Sequence, residues 1–206
     1  MATLETLFVT QIYRAPLVRR SGEDLRRSIQ KSTALIADAD QAGRNWCREQ
    51  GYPGYTSYAS LNDLPRRDPT FQDLSDALDP HVAAFVKLLD LDLGGRKLGL
   101  DSLWVNVLAP GGHHAAHIHP QSIISGTYYV SLPPGAAGLK FEDPRLPLMM
   151  AAPPRKARAG LQNRSFVEVH PKPGDVLLWE SYLRHEVPAN ASKSQRISVS
   201  FNYGWA

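Results

Sequence analysis

The sequence predicts a mainly β chain, an antiparallel sandwich or jelly roll, with N-terminal helices packed on one of its sheets. Three observations carry this. Hydrophobic periodicity changes from 3.6 to 2 near residue 100. No Gly/Ser-rich or Pro-rich linker separates the two halves. After residue 100 the strand signals follow one another without an intervening long helix, which disfavours a parallel α/β architecture. The expectation is therefore one domain over 1–206, with a helical covering part over 1–99 and a β core over 100–206.

Each element has its own signal. A short strand-like run opens the chain, Leu7 to Tyr13. Ser21 is a suitable N-cap, and Leu25, Ile29, Ser32, Ile36 and Ala39 share one helical face, which predicts a helix over 22–42. A loop rich in Gly, Pro and Tyr follows. Phe71, Leu74, Leu78, Val82, Phe85 and Leu89 then restore helical spacing over 70–90, with Pro80 a kink or a restart. The β-rich runs are SLWVNVLA, IISGTYYVSL, LKFED, SFVEV, DVLLWES and RISVSFNYGW, each bounded by Pro, Gly or polar residues.

Composition narrows the function classes. With 206 residues, 43% hydrophobic and 21% charged, the chain has the profile of an ordinary water-soluble globular domain. The one cysteine, Cys47, cannot build a disulfide framework or a cysteine metal site and fits a reducing compartment, so a cytoplasmic location is expected. The N-terminus lacks the pattern of a secretory signal, and no apolar run approaches the roughly 20 residues of a membrane span. A net charge of +3 is too mild to indicate a nucleic-acid partner.

The chemistry concentrates in histidine. Of seven histidines, four stand within the segment PGGHHAAHIHPQS: His113, His114, His117 and His119. In an extended segment, residues i and i+2 point to the same side, so His117 and His119 can present two imidazoles to one transition metal. His113 and His114 cannot both share that direction, and whether either contributes is open. A jelly roll brings distant strands together, which allows His185, after the strand DVLLW, to close the site. The alternatives are a histidine-rich polar loop and a merely satisfied His185.

The last strand alternates with period two. Arg196, Ser198, Ser200 and Asn202 fall on one face, and Ile197, Val199, Phe201, Tyr203 and Trp205 on the other. The apolar face is expected to meet the helices and the polar face to look into the barrel. A buried guanidinium needs an anionic partner to offset its desolvation. Arg196 has few acids nearby in sequence, so a bound carboxylate, gripped in bidentate geometry with help from the Ser198 hydroxyl, is the expected partner. A solvated edge position for Arg196 is the alternative.

Taken together, His117-Ile118-His119, the distal His185 and the pair Arg196-x-Ser198 resemble the Fe(II)- and 2-oxoglutarate-dependent oxygenases. The strings HIHPQSIISGTYYVSLP, LKFEDPR and RHEVPAN, followed by RISVSFN, are similar to a bacterial group of 2-oxoglutarate oxygenases of unassigned substrate. The resemblance covers most of the chain and implies a double-stranded β-helix (jelly roll, cupin-like). It implies Fe(II) on His117, His119 and His185, and 2-oxoglutarate clamped by Arg196 and Ser198. Tyr128 and Asn106 would also bind the cosubstrate, against the alternative of a packed strand tyrosine and a turn-proximal asparagine. The implied partners are 2-oxoglutarate, dioxygen and an unknown primary substrate to be hydroxylated, with the decarboxylation of 2-oxoglutarate to succinate and CO2.

One departure stands out. Most of that superfamily carries Asp or Glu where this chain has His119, and a third neutral ligand leaves the site one unit more positive. This keeps open a three-histidine cupin-type dioxygenase that does not use 2-oxoglutarate, and a non-catalytic metal-binding jelly roll. The long segment 143–164, with Arg145, Arg155, Lys156 and Arg158, is a candidate lid over the site or a solvated insertion. Oligomeric state is open, a homodimer being common among jelly rolls with covering helices.

Overall fold

The computed structural model describes the backbone of residues 1–17 and 22–206, and the side chains of all of these except 22 and 23. Ser21, the expected N-cap, lies outside the described residues. The first helix, α1 (Gly22–Ala39), buries Leu25, Ile29 and Thr33 on one stripe. It stops at Asp40, whose carboxylate accepts the backbone N–H of Gly43 at 2.9 Å and so caps a separate helix, α2 (Gln41–Glu49). The sequence pattern merged the end of α1 with the start of α2. Only Gly43 and Cys47 of α2 are buried, too little apolar periodicity to announce a helix. The third helix, α3 (Pro69–Leu88), begins at an Asp68 cap with proline in its first turn and buries Phe71, Leu74, Leu78, Val82 and Phe85. It runs through Pro80 without a restart, because Pro80 is exposed and the carbonyl its ring frees one turn earlier lies on the solvent side.

Ten strands complete the described residues: β1 (Tyr13–Pro16), β2 (Gly54–Thr56), β3 (Leu98–Leu108), β4 (His114–His117), β5 (Ile124–Ser131), β6 (Leu139–Glu142), β7 (Phe166–Val169), β8 (Asp175–Glu180), β9 (His185–Val187) and β10 (Arg196–Trp205). The expected opening strand is displaced: β1 pairs with β8 only from Tyr13 onward, and Leu7, Phe8 and Val9 are exposed without a ladder. The strands form two antiparallel sheets facing each other, one ordered β1-β8-β5-β10-β3-β2 and the other β4-β9-β6-β7. This is the double-stranded β-helix.

Alternation along the strands of the large sheet assigns each side chain to one of two apolar layers. Ile124, Tyr128, Val130, Val176, Leu178, Val199, Phe201 and Tyr203 pack toward the helices with Phe71, Leu74, Leu78 and Phe85. Leu108, Tyr129, Leu177 and Trp179 face the opposite way, toward Leu139, Phe141 and Val187 of the small sheet. The helix-side layer is tight at Gly126, where a Cβ would sit 2.4 Å from the Phe201 ring and 2.6 Å from Leu178. Gly126→Ala is therefore expected to destabilise the fold by about 1–3 kcal/mol, the cost of overpacking a dense core, read by denaturant unfolding.

Candidate metal centre

The site is built where the two sheets open. β4 and β9 pair so that His117 stands directly opposite His185. Two residues past His117, the chain is pinned again where the His119 N–H donates to the Ser181 carbonyl at 3.1 Å. The ring nitrogens that His117, His119 and His185 offer all lie within 4.8 Å of one another, and Nε2 of His117 is 3.2 Å from Nε2 of His119.

Their protonation is set by the other ring nitrogen. His117 Nδ1 is 2.8 Å from the Ala115 carbonyl and His185 Nδ1 is 2.9 Å from the Leu183 carbonyl. A carbonyl only accepts, so both neutral rings carry their proton on Nδ1. His119 Nδ1 meets the Asn202 Oδ1 at 2.6 Å with the same consequence. Three Nε2 lone pairs are left converging, the tautomers a metal requires. Burial also disfavours the imidazolium form, lowering His117 and pushing His119 down to about 4 and His185 to about 2. The rings are thus neutral near pH 7 and ready to ligate. Three imidazoles suit iron, zinc, nickel or copper rather than magnesium or calcium.

The remaining two histidines of the cluster separate. His113 is exposed. His114 lines the cleft and stacks on His117 with ring centroids 4.4 Å apart, but it is not in the set whose nitrogens converge.

The other end of the cleft is cationic. Arg196 is only 2% exposed; its Nε donates to the Ala137 carbonyl at 3.1 Å and its Nη1 to Ser198 Oγ at 3.1 Å. Among the described residues no carboxylate pairs with it, and no acidic side chain lines the cleft. Its guanidinium carbon lies 5.3 Å from the Tyr129 ring centroid. Among the described residues the buried Trp179 Nε1 has no hydrogen-bond partner, and the buried Tyr129 hydroxyl has only the neighbouring Arg196 guanidinium. An anion entering the cleft thus meets an unneutralised guanidinium and the indole N–H of Trp179.

Strand parity places the other expected residues. Across β3 and β10, Asn106 stands opposite Ser198, and Asn106 lines the cleft. Its amide is already engaged: Thr56 Oγ1 donates to its oxygen at 2.9 Å, and its nitrogen donates to Ser200 Oγ at 3.1 Å. Tyr128 is a correction. It packs in the helix-side layer, 1% exposed, on the face of β5 turned away from the cleft. Its neighbour Tyr129, opposite Ser198 across β5 and β10, is the tyrosine beside Arg196. The signal was present in the alternation of Ile124, Gly126, Tyr128 and Val130 against Ser125, Thr127 and Tyr129. Tyr52, Trp104 and Trp179 also line the cleft without having been singled out, and large aromatics in strands carry no mark that separates a site wall from a core.

Residues 102–202, the segment holding all three histidines and Arg196, match the family model described as "Putative 2OG-Fe(II) oxygenase". This core belongs to the 2OG-Fe(II) oxygenases. No curated protein matches the chain. Among solved structures the oxygenase fold is similar to the epimerase SnoN from nogalamycin biosynthesis, solved with Fe3+, alpha ketoglutarate and nogalamycin RO, at 16% identity and a TM-score of 0.64, over 95% of this chain and 79% of that one. AviO1 from Streptomyces viridochromogenes Tue57 matches at 14% identity and a TM-score of 0.62, over 95% of this chain and 90% of that one. A prolyl-4-hydroxylase from Pseudomonas putida matches at 14% identity and a TM-score of 0.57, over 95% and 92%. These likenesses extend the shared fold beyond the matched core into the helical part.

Proposed function

We propose that the oxygenase core holds Fe(II) on His117, His119 and His185 and 2-oxoglutarate between that ion and Arg196, and that it hydroxylates an unidentified substrate. The observation that carries this reading is the buried guanidinium of Arg196, without an acid, sharing one cleft with three converging Nε2 atoms. When bound, iron and 2-oxoglutarate supply an oxidative decarboxylation that couples dioxygen to oxidation of the substrate. The chain's own groups bind and orient. The histidines present neutral donors, Arg196 with Ser198 receives the far carboxylate, and the Tyr129 hydroxyl and Trp179 Nε1 offer hydrogens that no acceptor among the described residues takes. Burial strengthens each of these contacts by excluding water. The bare cationic end favours this reading over a three-histidine dioxygenase without 2-oxoglutarate, since such an enzyme has no use for a dicarboxylate clamp.

Two further expectations belong to this reading. The exposed side chains of Arg155, Lys156 and Arg158 stand on a segment that starts beside the metal ligands, where the Glu142 N–H donates to the Arg184 carbonyl at 2.9 Å, so a substrate with an acidic group fits this rim. Cys47 is buried and the chain has no second cysteine, which supports a cytoplasmic location. Among the described residues no helix is long and apolar enough to cross a membrane.

Calorimetric titration of 2-oxoglutarate into the anaerobic Fe(II) protein tests the proposal. Binding is expected in the parent, and Tyr129→Phe weakens it by a few-fold to roughly tenfold, the value of one hydrogen bond. Tyr128→Phe leaves it unchanged. Absence of binding to the parent overturns the 2-oxoglutarate reading.

A further inference from the structure

The three histidines are supported in two different ways. His117 and His185 lean on the carbonyls of Ala115 and Leu183, main-chain groups that any residue at those positions would supply. His119 alone is held by a side chain, that of Asn202 on β10. Asn202 is buried, 7% exposed, and its amide is engaged at both ends. Its oxygen accepts from His119 Nδ1 at 2.6 Å and from Ser125 Oγ at 2.8 Å, while its nitrogen donates to Ser102 Oγ at 3.1 Å. Ser125 Oγ in turn lies 2.8 Å from Ser181 Oγ, and the Ser181 carbonyl receives the His119 N–H. Ring and backbone of His119 are thus tied into one buried network in which every member is neutral.

Resting on the ligand assignment above, we propose that Asn202 is the positioning residue that sets how tightly, and at what net charge, the centre holds its metal. The amide oxygen keeps the His119 proton on Nδ1 and the Nε2 lone pair on the metal side. An amide turned the other way would put its NH2 against Nδ1 and the proton on Nε2, closing the third coordination position. The amide is also uncharged where metal-bound imidazoles are often backed by a carboxylate, which raises the basicity of the ligand. Ala115 and Leu183 offer carbonyls only, and among the described residues no acid lines the cleft, so position 202 is where this centre can change its charge without changing a ligand.

The consequences divide cleanly. Asn202→Asp preserves size and both accepted hydrogen bonds and adds one negative charge in a buried setting, which stabilises the more oxidised metal. Asn202→Leu removes the acceptor and frees the His119 tautomer. Ser102→Ala removes only the partner of the amide nitrogen. The experiment is anaerobic Fe(II) titration of the full chain, with the reduction potential of the bound iron and the melting of the metal-free protein measured in parallel. Expected is a roughly 10–100-fold weaker affinity in Asn202→Leu, the usual loss on removing a group that supports a ligand. Asn202→Asp is expected to bind at least as tightly as the parent with a lower potential, and Ser102→Ala to bind within about threefold of it.

A role in folding alone would lower the melting temperature of the variants and leave affinity and potential of the folded protein unmoved. That result overturns the inference. Should Asn202→Leu not fold, the potential of Asn202→Asp decides: a value equal to the parent's overturns the inference. A parent that binds no iron at all overturns the ligand assignment on which it rests, a separate failure.

Discussion

His185→Ala is expected to abolish stoichiometric Fe(II) binding. His185 is 4% exposed, stands opposite His117 in the β4–β9 ladder, and is one of the three residues whose nitrogens converge. Removing it deletes a coordination bond outright, a larger loss than the roughly 10–100-fold that follows removal of a supporting group alone. Its ring also packs edge-on to Trp179 at 4.7 Å, so the variant carries a small cavity. His117→Ala, at a less buried position, makes the same test with less disturbance of packing. His113→Ala and His114→Ala are the matched controls. The first residue is exposed and the second stacks on His117 without joining the convergent set, so both variants are expected to bind iron normally by equilibrium dialysis. Near-stoichiometric iron in both His117→Ala and His185→Ala would show the ligand assignment to be wrong.

Arg196→Met is expected to remove 2-oxoglutarate binding while leaving the ligand-free protein at least as stable. Methionine keeps much of the stem volume and discards the charge. In the bound state the far carboxylate would then be buried without a partner, a loss of about 3 kcal/mol or more, roughly a hundredfold in dissociation constant. In the ligand-free state the sign reverses. The guanidinium is nearly fully buried, holds the Ala137 carbonyl, Ser198 Oγ and the neighbouring Tyr129, and has no carboxylate among the described residues; burial lowers its pKa. Replacing such a charge by an apolar group relieves a desolvation cost. Calorimetry for the ligand and thermal melting for the apo protein read the two effects separately. Unchanged affinity for 2-oxoglutarate would remove Arg196 from the binding site, and metal affinity is expected to stay the same in either case.

The strands β3, β5 and β10 were legible because each is eight residues or longer. The polar and apolar faces of β10 read correctly from the sequence, with Val199, Phe201 and Tyr203 against the helices and Arg196, Ser198 and Ser200 on the cleft. The same rule applied to β5 would have separated Tyr128 from Tyr129, since Ile124 and Val130 share the parity of Tyr128 and pack with it. The resemblance drew attention to the first tyrosine of the pair, and one residue in a strand is a change of face. Short elements were less legible. α2 buries two small residues, and β2 is three residues long, so neither carries a full period.

The sequence by itself determined the chemistry on offer: three histidines at i, i+2 and a distal strand, an arginine on a polar strand face, and no acid among them. What only the tertiary structure decided is how those groups are completed. The pairing of β4 with β9 puts His117 opposite His185, and the pairing of β3 with β10 puts Ser102 opposite Asn202, although about a hundred residues separate the latter pair. Tautomer, unpaired charge and the support of His119 are properties of contacts between strands remote in sequence. Local residue preferences carry no information about such contacts until the register between strands is set, because hydrogen bonds and desolvation depend on which side chains share a face across a ladder.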